Sequence, residues 1–410
     1  MNGKVADMNV AQDFYSAEET ARLRAQVTVS KLLECGDVAR WWCTHIAEAM
    51  PTAVIQSPRP PAPLGQASEP RLFDIMAETD LGRLSLRDFL HHPESGARGF
   101  AVIKGGQVLA EAYPGMRADA SHLWASCAKP LAGLMIEHLI EDGAIDESRG
   151  IGDYLPALRD TDWHDVAVRD ALDMTPGMDC EENDVTRSDP SSIAIRAFLA
   201  EFNAPHGGRV ETLLEVLQAS RRSDTPGAKF EYGSPCTQVL VLLAEAVSGQ
   251  PWSEMFRARA WSHVGAEAAL QVHLSPDGVA LAHGVVSSRL RDLARFGMLF
   301  TPGWNRVADR QVVSGDTLRR IQTGTRDRSF FLNGHDGPVF IDRFGDDTML
   351  GNARQWDCIW PDGDLYKGGF MDQGLYVSPS RDAVIAYYST TPNMQMTRYL
   401  RPIATSGLLD

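Results

Sequence analysis

The sequence predicts a mixed α/β (α+β) protein: a central antiparallel sheet flanked by helices, with a mainly helical region inserted between the strands. Two observations carry this. Short apolar runs divided by turn residues occur early, at 99–113, and late, at 374–388, so both ends of the chain supply strands to one sheet. Between them, apolar residues recur at spacings of three and four, the period of a helix with one buried face.

The chain has 410 residues and 44% hydrophobic content, enough for one large core or two modest ones, as in an ordinary soluble globular protein. A net charge of -15 at pH 7 excludes the basic surface that nucleic acid or an anionic membrane would need, and neither is expected as a partner. The first residues carry mixed charge and no apolar run of the kind a secretory signal needs, and no later segment is long and apolar enough to cross a bilayer. The expected location is the cytoplasm. The six cysteines are scattered without a Cys-x-x-Cys pair, which argues against structural disulfides and against a cysteine metal site.

Taken in order, Ser16 to about Met50 reads as helical, opening on a capping box of Ser16 and Glu19, as an arm or a lid. The proline-rich stretch Pro58 to Pro63 ends it as an extended connection. Gly99 to Ile103 and Gln107 to Tyr113 flank Lys104-Gly105-Gly106, whose glycines suit a tight hairpin turn. Helical spacing marks Pro130–Glu141, Ser192–Glu201, Val210–Ala219, Gln238–Val247 and Ser288–Phe300. Gly374–Val377 and Ala383–Tyr388 then flank a turn at Ser378 to Asp382. The expected division is an arm with its connection at 1–65, a sheet domain made of 66–150 and 286–410, and a mainly helical domain at 151–285, with the active site at their interface.

No Gly-x-Ser-x-Gly elbow and no His-Glu-x-x-His helix is present. What remains is Ser126-Cys127-Ala128-Lys129, at the front of a helix with an apolar stripe of Leu131, Leu134, Met135 and Leu139. Residues three apart share a helix face, so the Lys129 amine can reach the Ser126 hydroxyl. Burial at the positive end of a helix would lower the amine's pKa and fit it to act as a base. The Ser126 N–H at the same end can hold a developing oxyanion. The motif alone is short enough to arise by chance, but only six lysines exist, Lys4, Lys31, Lys104, Lys129, Lys229 and Lys367, and one alone follows a serine by three. A second element, Tyr232-Gly233-Ser234, precedes an apolar helix and offers a phenol for proton transfer, although a lone tyrosine is more often packing. The third, Lys367-Gly368-Gly369-Phe370, leads to a strand whose glycines let a substrate lie against its edge, although Gly-Gly alone is usually a turn.

In that order, the three elements resemble the penicillin-recognising serine hydrolases, a group with the β-lactamase-like fold that holds class C β-lactamases, D-alanyl-D-amino-acid peptidases and related esterases and amidases. Further stretches are similar to the 6-aminohexanoate-dimer hydrolases: Arg40-Trp41 through Met50-Pro51, Leu172-Asp173-Met174, Ser287 to Arg295, and Arg354-Gln355-Trp356. The resemblance implies Ser126 as nucleophile, Lys129 as base, Tyr232 as proton relay, and the N–H groups of Ser126 and Phe370 as oxyanion hole. Ser234, His283, Lys367, Gly368, Gly369 and Asp184 are the candidates for contact with the substrate. The resemblance implies no metal and no cofactor, and a small amide or ester as substrate.

Two departures bear on specificity. Met371-Asp372-Gln373 stands where those hydrolases carry His-Gly-Gln, and the loop Cys180-Glu181-Glu182-Asn183-Asp184 is acidic. An acidic loop is ordinarily solvated; facing the cleft, Glu181, Glu182 and Asp184 would favour a cationic group on the substrate. His283 is a cleft residue on one reading and a packed or surface histidine on the other. The rival functions are a β-lactamase or D,D-peptidase, an acyltransferase, and a non-catalytic binding protein on the same scaffold. Nothing in the sequence fixes the oligomeric state, and a homodimer is compatible with it.

Overall fold

The computed structural model describes residues 15–393 and 395–410; the first fourteen residues, where no signal-like run is expected, lie outside them. An eight-stranded sheet runs in the order 351–353, 356–359, 365–369, 373–378, 383–389, 97–104, 107–112, 65–66. Every pairing is antiparallel except the last, where Gly65–Gln66 lies parallel to Gln107–Ala112. The late strand Ala383–Ser389 pairs with the early strand Ala97–Lys104, so the sheet is closed from both ends of the chain, as the sequence predicts. Gly105 and Gly106 take φ of 53° and 80° at the hairpin tip, the left-handed pair that a primed turn requires.

Successive side chains of a strand point to opposite faces, and here both faces are buried. Ala101, Ile103, Val384, Ala386 and Leu375 enter one core, while Phe100, Val102, Ile385, Tyr387 and Tyr376 enter the other. The helix Leu290–Met298 covers the first face, so closely that a Cβ on Gly297 would meet Val384 at 2.7 Å. The helices Leu86–His91 and Thr397–Ala404 cover the second. The architecture is a β-lactamase-like mixed α/β fold with seventeen α-helices among the described residues.

A smaller antiparallel sheet joins Thr52–Ile55, Leu270–His273, Val286–Ser288 and His122–Leu123, and its last strand delivers the chain to Ser126. The helix Ser234–Ser248 packs along Lys129–Glu141, so two helix N-termini, each carrying residues of the predicted site, lie side by side. It begins four residues before the predicted start, because Pro235 serves in its first turn, where no N–H is needed. The helix expected from Val210 starts at Leu213, after Thr212, whose hydroxyl caps it.

The N-terminal arm is broken into helices at Ala17–Ala25, Val29–Leu33 and Asp37–His45, followed by a short turn of helix. The Ser16–Glu19 capping box is formed, Thr28 caps the second helix, and Cys35 at φ 53° makes the corner before the third. The proline-rich stretch is an extended connection, held where the Ala62 N–H donates to the Gly265 carbonyl and the Ala62 carbonyl accepts from Arg295.

Candidate active site

Ser126 sits in a tight turn, Ala125–Ala128, that runs into the helix Lys129–Glu141. Ala125 is held at φ 47°, a left-handed conformation a residue with a Cβ rarely adopts, and strain of this kind persists only where the surroundings enforce it. They do so here. The Trp124 N–H donates to Val286, its indole N–H donates to Ser288 Oγ at 2.8 Å, and the Trp124 ring packs on Phe296. On the other side, a Cβ on Gly369 would lie 2.8 Å from the Trp124 carbonyl and 3.0 Å from the Ala125 Cβ, so the glycine lets the strand Leu365–Gly369 press against the turn.

The Lys129 amine is fully buried and lies 3.2 Å from Ser126 Oγ, 2.9 Å from Ser234 Oγ and 2.9 Å from the His283 carbonyl. Burial lowers its pKa to about 7; Glu182 opposes this and Lys367 adds to it. As an ammonium it donates to all three neighbours. As a neutral amine it keeps two N–H groups for Ser234 and His283, and its lone pair faces the Ser126 hydroxyl.

Tyr232 completes the cluster. Its hydroxyl lies 3.4 Å from Lys367 Nζ and in hydrogen-bond reach of Ser126, and both lysine ammoniums lie over its ring, at 5.2 Å for Lys129 and 4.8 Å for Lys367. Burial, with the negative charges of Asp357 and Glu182, pushes the phenol well above its ordinary pKa. At neutral pH the phenol therefore holds its proton, and the amine is the group able to accept one.

Lys367 is fully buried and donates to Asp357 at 2.7 Å and to the Gly368 carbonyl at 3.0 Å; the same Asp357 oxygen accepts the Gly368 N–H. Its charge is neutralised inside the protein. The turn after Phe370 has Met371 and Asp372 at φ 62° and 61°, fixed by the Gln373 amide, which donates to the carbonyls of Phe370, Met371 and Ser389. Asp372 points into the core, where burial raises it to about 7 and the Met396 N–H and Tyr387 hydroxyl donate to it. Of the altered tripeptide, only Met371 lines the cleft.

The cleft has a volume of about 570 Å³, in the range of small-molecule sites. Ser126, Tyr232, Ser234, His283, Gly368, Gly369, Phe370 and Asp184 all line it, whereas Lys129 and Lys367 lie behind its wall. His283 meets Lys129 through its carbonyl, while its ring packs near Phe198 and its Nε2 stands 2.9 Å from Glu201. The acidic loop is divided: Asp184 is exposed at the rim, whereas Glu182 is buried against Ser234. Part of the lining is apolar and comes from the arm, with Val29, Leu32, Leu33 and Trp42, joined by Phe198 and Phe202; Asp336, Phe340 and Arg343 also line the cleft.

Sequence reasoning missed Asp357, Glu201 and Arg187, while the stretch read as an arm or a lid does line the cleft. Asp357 was discoverable in principle, since a buried Lys367 demands a counter-ion. The others have no local signal. Among the described residues, no group of three or more His, Cys, Asp or Glu is placed to hold a metal, the six cysteines are free, and no helix is long and apolar enough to cross a membrane.

A hydroxyl, a depressed amine and a neutral phenol thus meet beneath a cleft of small-molecule size, and comparison with known proteins gives the family. The chain belongs to the β-lactamase family, whose model matches residues 94–406. It is 29% identical over 375 residues, 90% of each chain, to the 6-aminohexanoate-dimer hydrolase of Paenarthrobacter ureafaciens. A solved structure from Bacillus anthracis, provisionally assigned as a 6-aminohexanoate-dimer hydrolase, superposes with a TM-score of 0.75 at 21% identity, covering 91% of this chain and 95% of the other. A β-lactamase/D-alanine carboxypeptidase from Yersinia pestis gives 0.59 at 15% identity, covering 79% and 96%. These neighbours bear out the predicted fold.

Proposed function

We propose that the protein is a serine hydrolase that cleaves a carboxylic amide or ester through an acyl-Ser126 intermediate. The observation that carries this is the fully buried Lys129 amine, 3.2 Å from Ser126 Oγ and lowered to about 7 by burial. Lys129 takes the Ser126 proton as Oγ bonds to the substrate carbonyl carbon, and the resulting oxyanion is met by the N–H groups of Ser126 and Phe370. The Tyr232 hydroxyl gives its proton to the departing nitrogen or oxygen and regains one from the Lys129 ammonium. Water, deprotonated by the same amine, then attacks the acyl carbon, and the Lys129 ammonium returns the proton to Ser126 Oγ as the acyl–oxygen bond breaks. Gly368, Gly369, His283 and Asp184 flank the substrate, while Ser234 and Lys367 hold Lys129 and Tyr232 in place.

Similarity to the Paenarthrobacter enzyme favours amides of linear ω-amino acids as the first substrates to test, beside short-chain esters. The site lies where the sheet domain meets the helical domain, and a cytoplasmic location accords with the sequence. A fluorophosphonate should label the wild-type protein, and p-nitrophenyl acetate should be hydrolysed, while Ser126→Ala loses both. Undiminished labelling of Ser126→Ala would end this reading. A panel of 6-aminohexanoate dimer, D-amino-acid amides and nitrocefin separates an amidase or esterase from a β-lactamase.

A further inference from the structure

The acidic loop and the Tyr232–Ser234 turn meet at Gly233, so closely that a Cβ there would lie 2.3 Å from the Cys180 carbonyl oxygen. Glu182 grips this turn at two points. Its N–H donates to the Tyr232 carbonyl at 2.7 Å, and its carboxylate accepts the Ser234 N–H at 2.6 Å, the short distance of a charge-assisted bond. Glu182 is only 5% exposed, and its other oxygen stands 3.5 Å from Arg187. A carboxylate is costly to bury unless it is bonded and paired, as this one is. Both residues it holds have side chains that meet Lys129: Ser234 Oγ lies 2.9 Å from the amine, and the Tyr232 ring 5.2 Å from it.

We propose that Glu182 is a positioning residue of the acylation machinery, fixing Tyr232 and Ser234 against Lys129 and supplying the negative charge that faces the amine. This rests on the acyl-Ser126 reading above. The other charged or titratable groups facing Lys129 are the Lys367–Asp357 pair on the neighbouring strands, Glu201 at the end of its helix beside His283, and the Tyr232 phenol. Glu182 is the strongest of the charges acting on it and opposes the effect of burial. Burial pushes Glu182 itself up, but Lys129, Arg187 and the bonds from Ser234 hold it below its ordinary value, so it is charged when the amine titrates.

The carboxylate thus has two separable effects. Glu182→Gln keeps an oxygen for the Ser234 N–H but removes the charge; Glu182→Ala removes both. With the charge gone, the Lys129 ammonium is less stabilised and loses its proton at lower pH. The acid limb of kcat/KM for p-nitrophenyl acetate should therefore move down by about one pH unit in Glu182→Gln. In Glu182→Ala, kcat should fall about tenfold or more with KM changed less than about threefold, the pattern of misplaced catalytic groups. An acid limb that stays in place in a Glu182→Gln variant melting like wild type would overturn the proposal, whether or not Glu182→Ala folds. Fluorophosphonate labelling of wild type but not of Ser126→Ala would leave the acyl-enzyme reading standing in that event, so the two failures are distinguishable.

Discussion

Replacing Lys129 with methionine should abolish turnover and yet make the protein more stable at neutral pH. The amine has an ordinary pKa of 10.5 and is lowered to about 7 chiefly by burial. At 1.36 kcal/mol per tenfold change, that corresponds to roughly 5 kcal/mol of destabilisation of the folded state. Methionine has a similar length and no charge, but it leaves the buried His283 carbonyl without its donor, at about 1–3 kcal/mol. The net effect is a gain of about 2–4 kcal/mol at pH 7 and below, or roughly 2–5 °C for a chain of this size, since unfolding entropy grows with length. The sign follows from proton binding. Between pH 7 and 10.5 the unfolded wild type holds the Lys129 proton and the folded form does not, so wild-type stability rises with pH by about 1.4 kcal/mol per pH unit over that window. The advantage of Lys129→Met should therefore shrink above pH 7 and cross zero near about pH 9. Thermal unfolding of both proteins at several pH values from 6 to 10 measures it. A variant less stable than wild type at pH 7, or a difference that does not change with pH, would refute the reasoning.

Two further outcomes concern the walls of the site. Asp357→Ala leaves the fully buried Lys367 without its carboxylate and should destabilise by about 3–5 kcal/mol, read as a lowered denaturation midpoint. Gly369→Ala places a methyl group 2.8 Å from the Trp124 carbonyl and should push the strand away from the Ser126 turn, cutting kcat about tenfold or more; wild-type turnover would show that the close approach is not needed.

Much of this molecule can be read along the chain wherever the determining interaction is local. The 104–106 hairpin, the Ser16–Glu19 box and the helix after Ser126 are each specified within a few residues, and each forms as expected. The break at Cys35 is different. It answers to the packing of Val38, Trp41 and Trp42 into the core, which no local pattern announces. The same division runs through the site. Ser126 and Lys129 are a helical turn apart and visible as a motif, whereas the Lys367–Asp357 pair and the Glu182 grip on Ser234 depend on which strands and loops become neighbours. Stretches noticed only by resemblance have a physical role in the structure. Arg354 pairs with Glu137 on the helix Lys129–Glu141, and Gln355 ties the C-terminal end of Val168–Leu172 to Thr237 on the helix Ser234–Ser248.

The arm that opens the chain has a consequence for how such a molecule can change. The family match begins at residue 94, yet Val29, Leu33 and Trp42 line the same cleft as Ser126. One part of the cleft wall and the Ser126–Lys129 pair are therefore written in separate stretches of sequence. Substitutions in the first can reshape the space offered to a substrate while every hydrogen bond of Lys129 stays in place, so selectivity and reactivity are free to drift independently.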